Sequence, residues 1–167
     1  MKDIAHQGGM LALAVIVGYV ELLIPMPIFG MKLGLANVIV IAMMYIYGNK
    51  AALAVSVLRV VIIALLFGNM FSFMFAISGA MVSFVVMSLF KKLARSSIVF
   101  ISIMGSLSHI VAQIVVCFFV MKKVQILYYL PILMLVSIVT GYLVGFLSNR
   151  MIRLCCEYED KRNVKQD

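Results

Sequence analysis

From Met10 to Asn149 the chain is a succession of apolar runs, most of them long enough to cross a bilayer and separated by only a few polar or glycine residues. Ala51 to Phe67, for instance, is apolar apart from Ser56 and Arg59. About 20 apolar residues span the ~30 Å hydrocarbon core as a helix, and in that core the backbone must satisfy its own hydrogen bonds. The pattern therefore predicts an all-α, polytopic membrane protein with a six-transmembrane-helix bundle. Hydrophobic residues make up 65% of the 167 and charged residues 12%, against about 25% charge in soluble domains. This leaves room for one membrane domain over 1–150 and a short charged tail over 151–167.

The first helix is expected over Gly9 to Ile24, stopped by Pro25 and Pro27, since proline removes a backbone donor and disfavours helix in the residue before it. No A-x-A-like cleavage site follows, so it reads as a retained helix. Leu35 to Tyr47 is only 13 residues, about 20 Å of helix. The missing depth is assigned to the preceding Gly30-Met-Lys-Leu-Gly34 segment dipping into the membrane beside a cavity, carrying Lys32 with it. Further helices are expected at Ala51–Phe67, Phe71–Phe90, Ile98–Met121 and from near Pro131 to Asn149, with Gly48-Asn49-Lys50 and Gly68-Asn69 as turns. Glu157 to Asp167 reads as a frayed, solvated end.

The net charge of +8 reflects bases that flank the apolar runs, the pattern of the positive-inside rule and of anionic lipid rather than of nucleic-acid binding. With the N-terminus inside, the inner side holds Lys2, Lys50, Lys91, Lys92, Arg95, Arg150, Arg153, Lys161, Arg162 and Lys165. The outer side holds Lys32, Lys122 and Lys123. Ten against three predicts a multi-pass cell-membrane protein, bacterial in type, with both termini cytoplasmic.

Two ionisable residues interrupt the membrane runs: Glu21 in the outer half of the first helix and Arg59 near the middle of the third. A charge at the bilayer centre costs roughly 2.5 to 3.5 kcal/mol even on lenient insertion scales, so it faces a bundle interior and finds a partner. Ser102, Gly105, His109 and Gln113 share one helix face by their spacing, and Ser72, Gly79 and Ser83 form a similar row. Glu21, Lys32, Asn37, Arg59, His109 and Gln113 are accordingly the candidate solute-binding residues, with interhelical hydrogen bonding as the plainer alternative. Ala14 and Gly18, like Ser137, Gly141 and Gly145, let backbones approach closely. They serve either packing within the bundle or, for Ala14 and Gly18, docking of another membrane protein.

Enzyme signatures are absent. The sequence has no D-D-x-x-D pair, phosphate loop, nucleophile elbow or H-E-x-x-H, and four of its six acids lie in the tail. Neither a cofactor nor a metal is expected, and the three cysteines show no metal or disulfide spacing. ATP-driven transport by such a chain would need separate ATPase subunits.

Gly30-Met-Lys-Leu-Gly-Leu-Ala-Asn37, Leu58-Arg-Val60, Leu66-Phe-Gly68, Ser78-Gly-Ala-Met-Val-Ser83 and Ser108-His109 with Gln113 resemble the Gx transporter family. That family is often labelled heptaprenyl diphosphate synthase component I and is similar to the substrate-binding S components of energy-coupling factor (ECF) transporters. The resemblance runs from about the first helix to Arg150. It implies six helices, a small vitamin-like or precursor solute taken from outside, and docking on a transmembrane coupling protein that carries two ATPases. The alternative is an accessory subunit that assists a soluble prenyl diphosphate synthase at the membrane.

Overall fold

The computed structural model describes residues 2–24, 34–67, 70–93 and 96–164, with side chains from 4 to 157. Among them are six α-helices and no strand: α1 (Lys2–Leu23), α2 (Asn37–Ile46), α3 (Asn49–Phe67), α4 (Met70–Leu93), α5 (Ile98–Met121) and α6 (Leu130–Val164). A 3-10 turn, Val124–Tyr129, leads into α6. Five of the helices are long and apolar enough to cross a membrane, while α2 is shorter. The chain is thus an all-α, polytopic membrane bundle. The expected stop at Pro25 and Pro27, the Gly68-Asn69 turn and the Lys32 segment lie outside the described residues.

Helices α1, α3, α4, α5 and α6 pack successively, each on the next, and α2 lies against α1, α3, α5 and α6. The sequence of α2 explains its place: Asn-Val-Ile-Val-Ile-Ala-Met-Met-Tyr-Ile is apolar all round, and such a helix is buried on every side. Ile39 to Met44 are accordingly buried without exception and form the centre of the core with Ala14, Val55, Met87 and Val144. Most of the large apolar residues left exposed, among them Ile16, Leu65, Phe71 and Phe119, lie on the long helices and face outward, as lipid contact requires.

Local signals set the boundaries. Gly48 adopts φ +88°, the left-handed conformation that ends α2 and turns the chain into α3. Ser97 caps α5, its hydroxyl accepting from the Phe100 N–H at 3.2 Å. Lys91 reaches from α4 to the C-terminal end of α2, where its ammonium donates to the Met44 carbonyl and stands over the Tyr45 ring. At the α5–α6 seam the glycines of α6 admit backbone contact: a Cβ on Gly145 would lie 2.6 Å from Val99 Cα, and one on Gly141 2.8 Å from Ile103 Cα.

The tail departs from expectation. Rather than fraying, it continues α6 to Val164, so that this helix runs 35 residues, about 52 Å at 1.5 Å per residue. That exceeds the hydrocarbon core by roughly 20 Å. Adding residues to an existing helix carries no nucleation cost, and neither glycine nor proline interrupts Arg150 to Val164. Charge made the segment read as solvated. Solvation does not prevent a helix already founded in the membrane from extending.

Candidate functional site

The polar residues singled out in the sequence come from four different helices and meet at one end of α2. Glu21, in the last turn of α1, is 4% exposed, and its Oε1 accepts a hydrogen bond from the Leu35 N–H. Leu35 belongs to the turn that opens α2, where the first N–H groups of a helix have no intrahelical acceptor. Leu35 stands just before the N-cap Ala36, and the carboxylate satisfies its N–H near the positive end of the helix dipole, while the Asn37 and Val38 N–H groups donate to the Gly34 and Leu35 carbonyls.

Arg59 reaches the same place from α3. Its Nη2 donates to Asn37 Oδ1 at 2.9 Å, and both residues are buried. This fixes the amide orientation, because only the carbonyl oxygen can accept from a guanidinium. Arg59 Nε and Asn37 Nδ2 are left without a hydrogen-bond partner among the described residues. An unmet buried donor costs about 1 to 3 kcal/mol, so the two are costly as they stand.

His109 completes the cluster from α5. Its Nε2 lies 2.9 Å from Gln113 Nε2, one helical turn on, and its ring lies directly against Gly79 of α4. A Cβ on Gly79 would stand 2.8 Å from the ring, so the missing side chain is what admits the imidazole. Gly34 plays a comparable part at φ +83°, bringing the backbone into α2 with His109 and the Asn37 amide as its neighbours.

Glu21, Arg59 and His109 line a common cavity with Gly18, Val60 and Ile63. Its volume is about 10 Å³, at the lower limit for a single water. Asn37 joins through Arg59 and Gln113 through His109, so five of the six candidate binding residues form one connected group. Lys32, the sixth, lies outside the described residues.

Other expectations are placed elsewhere. The α5 row divides: His109 faces α4, whereas Ser102 packs under Gly145 of α6. Ser83 bonds to the Ala80 carbonyl within its own helix at 3.1 Å. Ala14 and Gly18 point into the bundle, fully buried at Ala14, and a Cβ on Gly18 would meet Ile63 Cδ1 at 2.4 Å. The small size of Gly18 thus serves the contact of α1 with α3. The Glu21 bond to Leu35 had no counterpart in the sequence reading, since a backbone N–H carries no residue signature.

A family model described as heptaprenyl diphosphate synthase component I matches residues 10–151. The chain belongs to that family. The matched region of this component I member takes in every residue of the cluster, from Glu21 to Gln113, and stops within α6. No curated protein and no solved structure matches the chain at a significant level.

Proposed function

We propose that this chain is a non-enzymatic, membrane-embedded binding subunit that receives a small solute at the cluster of Glu21, Asn37, Arg59, His109 and Gln113, to which the sequence adds Lys32 as a candidate. The observation that carries this reading is Arg59, buried in mid-helix with its Nε unmet. A serine or glutamine would join helices at far lower cost than a guanidinium, so a charge in this position needs a further reason. Arg59 and Asn37 would donate to acceptor groups of the solute, Glu21 would accept or balance Arg59, and His109 and Gln113 would orient it.

The S component of an ECF-type uptake transporter is the setting that fits such a subunit. The resemblance of the Lys32-to-Asn37 string and of Leu58-Arg-Val60 supports it, as does the absence of any nucleotide-binding motif. A transmembrane coupling protein and two ATPases would then supply the energy. The Lys and Arg distribution supports cytoplasmic termini in the cell membrane, which puts the cluster in the outer half.

The family's description favours a second setting, a membrane component of heptaprenyl diphosphate synthase. A buried guanidinium with unmet hydrogen-bonding capacity in a lipid-facing bundle is chemically suited to a diphosphate head with an apolar chain. Affinity purification of the tagged chain from crosslinked native membranes separates the two. Coupling and ATPase subunits in the eluate support the transporter, and a D-D-x-x-D synthase supports the accessory subunit.

A further inference from the structure

The opening turn of α2 shows which chemistry the cluster is built to receive. Three kinds of donor converge there: the Leu35 N–H at the helix N-terminus, Asn37 Nδ2 and Arg59 Nε. The two side chains are more than nine-tenths buried, and neither nitrogen has a partner among the described residues. Asn37 Nδ2 points back at the turn, 3.2 Å from where a Cβ of Gly34 would stand. Its orientation is held by the Arg59 bond to the other end of the amide.

Against these donors the described chain sets one anion, the Glu21 carboxylate on the Leu35 N–H. The cavity beside it has room for no more than about a water. Among the described residues Glu21 holds the acceptor position on the Leu35 N–H, so a ligand group that bonds this N–H takes the place that Glu21 holds. Helix dipole, guanidinium and amide all favour an anion there and disfavour a cation.

From this arrangement we infer that the ligand carries a carboxylate or phosphate group that binds at the N-terminus of α2, and that Glu21 is an internal anion occupying the place of that group in the unliganded protein. This inference rests on the binding reading above and adds the ligand's chemical class to it. Glu21 acts as a positioning residue: it keeps α2 in place when no ligand is bound and competes with the ligand when one arrives.

Two isosteric substitutions change the charge and keep the structural bonds. Glu21→Gln leaves an oxygen for the Leu35 N–H but removes the competing charge. Asn37→Asp leaves an acceptor for Arg59 but replaces the free donor by a carboxylate. The full chain in phosphatidylcholine nanodiscs is titrated with acetate, inorganic phosphate or inorganic pyrophosphate at fixed ionic strength, with the thermal midpoint as readout. At least one anion should raise the midpoint, with an apparent Kd about tenfold lower in Glu21→Gln and at least about tenfold higher in Asn37→Asp. If the midpoint instead rises on replacing phosphatidylcholine by phosphatidylglycerol, with the same order among the variants, the anion is a lipid headgroup and the inference holds. No response to any anion in the wild type and Glu21→Gln, or an undiminished response in Asn37→Asp, overturns it. A neutral solute that co-purifies with the wild type and is lost from Asn37→Asp overturns the anion assignment and leaves the binding reading standing.

Discussion

Arg59 of α3 donates to Asn37 of α2 across 2.9 Å in the interior of the bundle. The bond ties the first residue of the shortest, most deeply buried helix to the one arginine in the membrane runs. It also leaves one donor on each partner turned away from the other. The geometry combines a structural role with unmet hydrogen-bonding capacity, and the two can be separated by substitution.

Arg59→Leu removes a buried charge and leaves Asn37 Oδ1 without its donor. The first change relieves a desolvation cost, but the unmet Oδ1 costs about 1 to 3 kcal/mol and the buried Glu21 carboxylate loses its balancing charge, so the thermal midpoint should fall. Arg59→Lys keeps the charge but not the planar fork, and should recover only part of any ligand affinity lost in Arg59→Leu. Binding titrations on the detergent-purified variants measure both.

Gly79→Ala tests the seat of His109. The added methyl would overlap the imidazole, which must leave its place and break the contact with Gln113. Overpacking of this kind costs about 1 to 3 kcal/mol. A lowered thermal midpoint together with weakened ligand binding is expected, and an unchanged midpoint would show that the ring yields freely.

Gly18 and Gly145 differ in what a new side chain would meet. At Gly18 it is the flexible tip of Ile63, whereas at Gly145 it is the backbone of Val99, which cannot step aside. Gly18→Ala should therefore be tolerated, while Gly145→Ala should lower stability by about 1 to 3 kcal/mol through separation of α5 from α6. Gly18→Leu should disturb folding and binding together. A folded Gly18→Leu protein that binds solute but loses a membrane partner would instead give α1 a docking role.

Orientation is open to labelling. In a background without Cys117, Cys155 and Cys156, single cysteines replace Lys2 or Lys123. An impermeant thiol reagent on intact cells should modify position 123 and spare position 2. The opposite result inverts the topology.

Much of the bundle was legible because a bilayer permits so few structures. The Ile98 to Met121 run has the bounds of α5, and the shortness of α2 followed from the spacing of its apolar residues. Glu21, Asn37, Arg59, His109 and Gln113 were legible as a group because polar side chains in such runs must turn inward. Less could be read where the determinant is not a side chain. The Leu35 N–H leaves no mark on residue type, and the ring that fills the place over Gly79, like the inward turn of Ala14 and Gly18, depends on which neighbour the helix meets. The length of α6 escaped the reading because charge signals solvation, and a solvated segment can be helix or coil.

The central claim is that the buried cluster holds a solute, and mass spectrometry of small molecules released from the purified protein tests it most directly. Wild-type chain and Arg59→Leu are extracted in parallel, and both are shown to be folded by gel filtration. A single solute should be released from the wild type and be missing from Arg59→Leu. Release of the same solute in the same amount from the folded Arg59→Leu protein would contradict the account.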